Sequence, residues 1–80
     1  MATSEDEARA RWAGWQHAHQ EALHALQSAE AAYHRLTAEQ AFGRGDDEPS
    51  RARRLEALTR LQELSSRLDE IREQRPPWPY

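Results

Sequence analysis

The sequence contains no cysteine, so disulfide bonds and thiolate metal sites are excluded. A chain without disulfides is typical of cytosolic proteins. There are only three glycines, and no apolar run is longer than a few residues. Neither a glycine-rich phosphate loop nor a membrane-spanning helix is therefore predicted. The N-terminal segment is acidic and has no apolar core, which argues against a secretory signal. We expect a cytoplasmic protein that does not bind membranes.

Lysine, asparagine and valine are also missing, whereas alanine and arginine are abundant, a bias that favours a bacterial source with a GC-rich genome. The formal net charge is −3, and the basic cluster at residues 51–54 directly follows three acidic residues. Binding to nucleic acid usually requires a positive field over a whole face. No nucleic-acid partner is predicted.

Two long helix-forming stretches are separated by one Gly/Asp-rich break. Ser4 and Glu7 have the spacing of a capping box, which predicts a first helix over residues 5–42. Gly43 then suits the left-handed position after a helix end, and the turn is expected over 43–47. Asp47 is the expected N-cap of a second helix over 48–75. Pro76 and Pro77 end that helix and leave an extended tail over 76–80.

Core-type positions recur at alternating steps of three and four in both stretches, which indicates a coiled-coil-like seam. The seam positions are Trp12, Trp15, His19, Ala22, Leu26, Ala29, Tyr33 and Leu36 in the first helix, and Ala57, Leu61, Leu64, Leu68 and Ile71 in the second. If the chain folds back at Gly45, small residues meet large ones, with Ala22 opposite Leu68. His19 then lies opposite Ile71, where a polar seam residue would fix the register. The sequence predicts an all-α antiparallel two-helix hairpin in one domain over residues 1–80.

A hairpin of 80 residues is short of core, because each helix buries only one stripe. Domains of this size bury roughly 60% of their unfolded surface and are marginally stable alone. The small residues Ala18, Ala25 and Ala32 repeat beside the seam, where they would let another helix approach closely. We therefore expect a homo-oligomer, most simply a twofold dimer with four helices, or a complex with another protein.

The tail brings aromatic residues to the open end of the hairpin. The same fold-back places Trp78 beside Trp12, and Arg75 beside Trp15, with Tyr80 nearby. One interpretation is a plug in which Trp78 is largely buried and closes the core. The other is a set of exposed residues that anchor a partner protein, because Trp, Tyr and Arg dominate the energetics of protein interfaces. A stiff proline-rich tail also loses little entropy on docking.

One stripe contains residue types that are able to bind a metal, namely His17, Glu21 and His24. The other interpretation of this stripe is a solvent-facing polar surface of an amphipathic helix. Glu21-x-x-His24 has the spacing of carboxylate-bridged di-iron bundles, and in this respect the chain resembles ferritin-like proteins. That resemblance implies a metal-binding bundle, although the stripe points away from the seam. The sequence predicts no strand–turn–helix unit that would expose a nucleophilic side chain. Two helices alone also do not enclose a substrate pocket. No catalysis is therefore expected.

The sequence thus favours a small non-enzymatic interaction module or accessory subunit, which needs no cofactor. It would act through a helical-bundle interface and a Trp/Pro tail. The metal-binding bundle is the alternative hypothesis. A third hypothesis is a helper subunit whose tail completes the active site of an enzyme.

Overall fold

The computed structural model describes residues 3–43 and 47–79. These residues form two helices, α1 over Ser4–Ala41 and α2 over Glu48–Glu73, and no strand occurs in the described ranges. The helices pack against each other as a hairpin, and the chain measures 62 × 17 × 16 Å. The 38 residues of α1 span about 57 Å at a rise of ~1.5 Å per residue, which accounts for most of the long dimension.

The N-terminus of α1 is capped one residue earlier than the sequence predicted. Thr3, in an extended conformation, accepts a 3.1 Å hydrogen bond from the backbone N of Asp6, and the Asp6 carboxylate accepts a 3.3 Å bond from the backbone N of Thr3. The predicted Ser4 and Glu7 pair is therefore wrong as the capping box. The pattern of a hydroxyl residue followed three positions later by an acid occurs twice in succession, so that spacing alone could not choose between them.

The break between the helices begins as the sequence predicted. Phe42 caps α1, and Gly43 adopts a φ of 77°, in the left-handed region that favours glycine. Residues 44–46, including the predicted fold-back point Gly45, lie outside the described residues. Asp47 is the N-cap of α2, and Pro49 occupies its first turn. Hydrogen bonding by the Ser50 side chain is the main reason that the pKa of Asp47 is lowered.

The second helix ends at Glu73, two residues before the predicted end. Gln74 caps it through backbone hydrogen bonds to the carbonyl oxygens of Glu70 and Ile71, at 3.2 and 3.1 Å. Arg75 directly precedes Pro76, and a residue before proline is disfavoured in the helical conformation. Residues 76–79 have no regular secondary structure. Neither helix is long and apolar enough to cross a membrane, judged over the described residues.

The core lies in the half of the hairpin away from the connection between the helices. Its centre is formed by Ala22, Leu68 and Ile71, against which Trp15, Leu23 and Leu26 pack. Leu68 is 3% exposed, and Trp12 and Leu64 are also buried. Towards the connection, the seam residues are only half-buried; they are Ala29, Tyr33, Leu36, Ala57 and Leu61. Beyond them, Phe42 and Leu55 are largely exposed.

Candidate interaction surfaces

Three tryptophans and an arginine meet at the open end of the hairpin. The Trp12 and Trp78 ring centroids are 4.6 Å apart in an edge-to-face arrangement, and the Trp12 and Trp15 centroids are 5.4 Å apart. The guanidinium carbon of Arg75 lies 5.1 Å from the centroid of Trp12 and 5.6 Å from that of Trp15. Both distances are within the range of cation–π attraction. We call Trp12, Trp15, Arg75 and Trp78 the aromatic cluster.

Trp15 also connects the aromatic cluster to the helix seam. Its Nε1 donates a 2.7 Å hydrogen bond to the carbonyl oxygen of Ile71, and its ring stacks on His19 with the centroids 5.2 Å apart. The Nε2 of His19 in turn accepts a 3.4 Å hydrogen bond from the Nε of Arg72. Each of these side chains therefore bridges α1 and the end of α2.

The tail only partly matches the plug that the sequence suggested. Trp78 contacts Trp12, but 57% of its surface remains exposed within the single chain, so its burial against a neighbouring chain stays a prediction. Tyr80, the other predicted docking residue, lies outside the described residues.

A groove of about 390 Å³ runs between the helices on one face of the hairpin. The α1 wall is built from small residues and one carboxylate, namely Ala18, Ala22, Ala25 and Glu21. The α2 wall consists of Arg60, Leu64, Arg67 and Ile71. The floor is thus apolar, and the two walls carry charges of opposite sign. We call this feature the alanine groove.

The surface of α1 is also open beyond the end of the alanine groove. Gly14 lies one helical turn before Ala18, and a Cβ added there would meet nothing within 4 Å. Because residues four apart lie on one face of a helix, the small-residue wall continues to Gly14. A second helix therefore has room to approach α1 closely along this wall.

The predicted metal stripe is not assembled into one site. His17 Nε2 lies 3.0 Å from Glu21 Oε1, with both side chains more than two thirds exposed, whereas His24 is within hydrogen-bond distance of Gln20 at 3.1 Å. Among residues 3–43 and 47–79, no group of three or more histidine, aspartate or glutamate side chains is positioned to hold a metal ion.

Two features of these surfaces were missed by the sequence interpretation. The seam pattern gave no role to Leu23, which packs against the core from beside the seam. It also overlooked the arginine wall of the groove, although Arg53, Arg60 and Arg67 recur every seven residues. This seven-residue spacing lies beside the seam positions of α2. It predicts a row of charged side chains next to a helical interface.

Comparison of the chain with protein-family models, curated proteins and solved structures finds no significant match.

Proposed function

We propose that the chain is a non-enzymatic protein–protein interaction module or accessory subunit that associates into a helical bundle, most simply a twofold dimer of four helices. The observation that carries this proposal is the exposed area of the chain. Its accessible surface is 6193 Å² for a mass of 9.3 kDa, whereas a compact monomer of that mass exposes about 5,000 Å². The surplus of roughly 1,200 Å² exceeds the ~800 Å² that each partner contributes to a standard interface.

The burial of the core residues supports the same proposal. Leu68 is the most buried core residue, and no side chain in the described ranges is less than 2% exposed. A fully enclosed core is the main source of folding free energy in a small domain. A partner on the open face would remove Ala18 and Ala25, the half-buried alanines that line the groove, further from water and thereby stabilise the hairpin.

The chemistry of the groove favours a helix as its occupant. Methyl groups from three alanines line one wall, and the arginines of the other wall present fixed donors for carboxylates. Small residues permit close helix packing, and charged residues beside the seam set the choice of partner in helical bundles. None of the groove residues is a serine, cysteine or histidine that would serve as a nucleophile or base.

The aromatic cluster supports a second contact surface at the open end. Trp78 is held against Trp12 and presents more than half of its surface to solvent. Prolines on both sides of Trp78 limit the conformations of the tail, so that little entropy is lost when a partner binds. Tryptophan and arginine are the residue types that most often dominate binding energy.

The proposal is tested by thermal unfolding and light scattering over a roughly hundredfold range of protein concentration. Self-association gives a dimer mass and a midpoint temperature that rises with concentration. A weakly folded monomer also agrees with the proposal, because it indicates that a foreign partner completes the core. A cooperatively folded monomer with a midpoint independent of concentration would contradict it.

A further inference from the structure

We infer that the alanine groove binds a second copy of this chain about a twofold axis parallel to the helices, so that α1 of one copy packs on α2 of the other. Glu21 of each copy then pairs with the partner's Arg67. This inference rests on the proposed function and adds to it the identity of the partner, the face used and the register.

The register follows from the heights of the two charges along the groove. Ala22 and Leu68 meet in one layer of the core, and Glu21 and Arg67 are the residues that directly precede them. Glu21 and Arg67 therefore stand on opposite walls at nearly the same height. A rotation of 180° about the length of the groove exchanges the walls but preserves the heights. Each carboxylate is thereby placed opposite a guanidinium, twice in one dimer.

The charge pattern also selects this arrangement over the other twofold packing of the same face. An axis across the groove at the height of these charges would stack α2 on α2 and bring the Arg67 side chains of the two copies together. Like charges in such a position destabilise an interface, whereas the parallel axis gives complementary pairs. At the height of Glu21 and Arg67, the charges of the groove are thus complementary about the parallel axis and not about the crossed one.

The two charges are available for this pairing. Arg67 is exposed, and its side chain makes no ion pair within residues 3–43 and 47–79. Glu21 contacts His17 through one carboxylate oxygen, on a side chain that is 71% exposed. A carboxylate accepts several hydrogen bonds, so the second oxygen is able to bind a guanidinium. In the dimer, the exposed His17–Glu21 pair of one copy and the solvated Arg67 of the other therefore form one network of polar contacts.

Charge reversal at these two positions tests the inference by sedimentation equilibrium. Glu21→Arg alone and Arg67→Glu alone are each expected to raise the dimer dissociation constant at least about tenfold, because each creates two like-charge contacts. The double variant Glu21→Arg/Arg67→Glu restores complementary pairs and should recover most of the affinity. An equimolar mixture of the two single variants should form a mixed dimer, detected by native mass spectrometry.

Matched controls are provided by exposed charges of α2 that do not line the groove. Asp69→Arg makes the same charge change as Glu21→Arg, and Arg51→Glu makes the same change as Arg67→Glu. Both should leave the dissociation constant within about twofold. If the controls weaken the dimer as much as the groove variants, net charge alone is responsible and the inferred register is wrong. If a single variant is poorly folded, formation of the mixed dimer in the equimolar mixture still supports the pairing of Glu21 with Arg67. Absence of the mixed dimer overturns that pairing.

The result also separates this inference from the proposed function. A dimer whose dissociation constant is unchanged by Glu21→Arg and by Arg67→Glu overturns the inferred register. It leaves the proposed interaction module uncontradicted. A weakly folded wild-type monomer overturns self-association at the groove, but it still agrees with a module that binds a foreign protein. A stable, cooperatively folded monomer overturns both.

Discussion

The indole Nε1 of Trp15 donates a 2.7 Å hydrogen bond to the backbone carbonyl oxygen of Ile71, which joins the first half of α1 to the last turns of α2. The same ring stacks on His19, and Ile71 is part of the core. Trp15 thus makes both a polar and an apolar contact with α2. The bond restricts how far the helices can slide, because it fixes an indole nitrogen to one backbone atom.

Trp15→Phe is expected to reduce the free energy of unfolding by about 1 to 2 kcal/mol, because the hydrogen bond to Ile71 is lost while most of the ring is kept. Chemical denaturation monitored by circular dichroism measures the change. Trp78→Phe is the matched control, since that ring is mostly exposed and its edge contact tolerates a smaller aromatic group. If both substitutions lowered the free energy of unfolding by the same amount, the hydrogen bond of Trp15 would contribute nothing to stability.

Leu68→Ala should destabilise the chain by about 2 to 5 kcal/mol, since it creates a cavity at the most buried core position. Leu64→Ala, also in the core, should have a comparable effect. Leu55→Ala is the control: Leu55 is 66% exposed, and its truncation should change the free energy of unfolding by less than about 0.5 kcal/mol. A destabilisation by Leu55→Ala as large as that by Leu68→Ala would place the core nearer to the connection between the helices.

Removal of the Trp78 ring by Trp78→Ala should cost about 0.5 to 1.5 kcal/mol, the usual contribution of an edge-to-face aromatic pair. Trp78→Phe should keep most of that contribution. Deletion of residues 76–80 should weaken assembly or partner binding by at least as much as Trp78→Ala does. Unchanged stability, unchanged assembly and an unshifted tryptophan emission maximum in all three variants would leave the tail without a role.

His24→Ala and His17→Ala should each change stability by less than about 0.5 kcal/mol, because both side chains lie on an exposed face. Unfolding is measured with and without added zinc or iron, together with metal analysis of the purified protein. A stoichiometric metal that raises the unfolding temperature, and whose effect is lost in His24→Ala, would favour the metal-binding hypothesis over the interaction module.

Much of the fold follows from local rules that the sequence displays. Gly43 and Pro76 mark where helices cannot continue, and the three-four spacing of Ala22, Leu64 and Leu68 identifies residues that the structure buries together or in adjacent layers. The fold-back rule also paired Trp12 with Trp78. Equal helical rise on both sides preserves the register only as far as Glu73, where α2 ends, and the non-helical tail carries Trp78 the rest of the way.

Other features depend on geometry that spacing does not encode. The exposed fraction of Trp78 depends on what covers its outer face, and a linear pattern identifies only which ring it touches. The bond from Trp15 to Ile71 involves a backbone acceptor, which has no signature in side-chain types. The opposed charges of Glu21 and Arg67 become visible only once the two helices form a groove with two walls.

The mass of the wild-type protein in solution, measured by sedimentation equilibrium at several micromolar concentrations, tests self-association through the alanine groove most directly. A reversible equilibrium with a dimer of about twice 9.3 kDa is expected for the wild-type chain and for the double variant Glu21→Arg/Arg67→Glu. The two single variants should dimerise at least about tenfold more weakly. A wild-type protein that stays at 9.3 kDa at every concentration would contradict it.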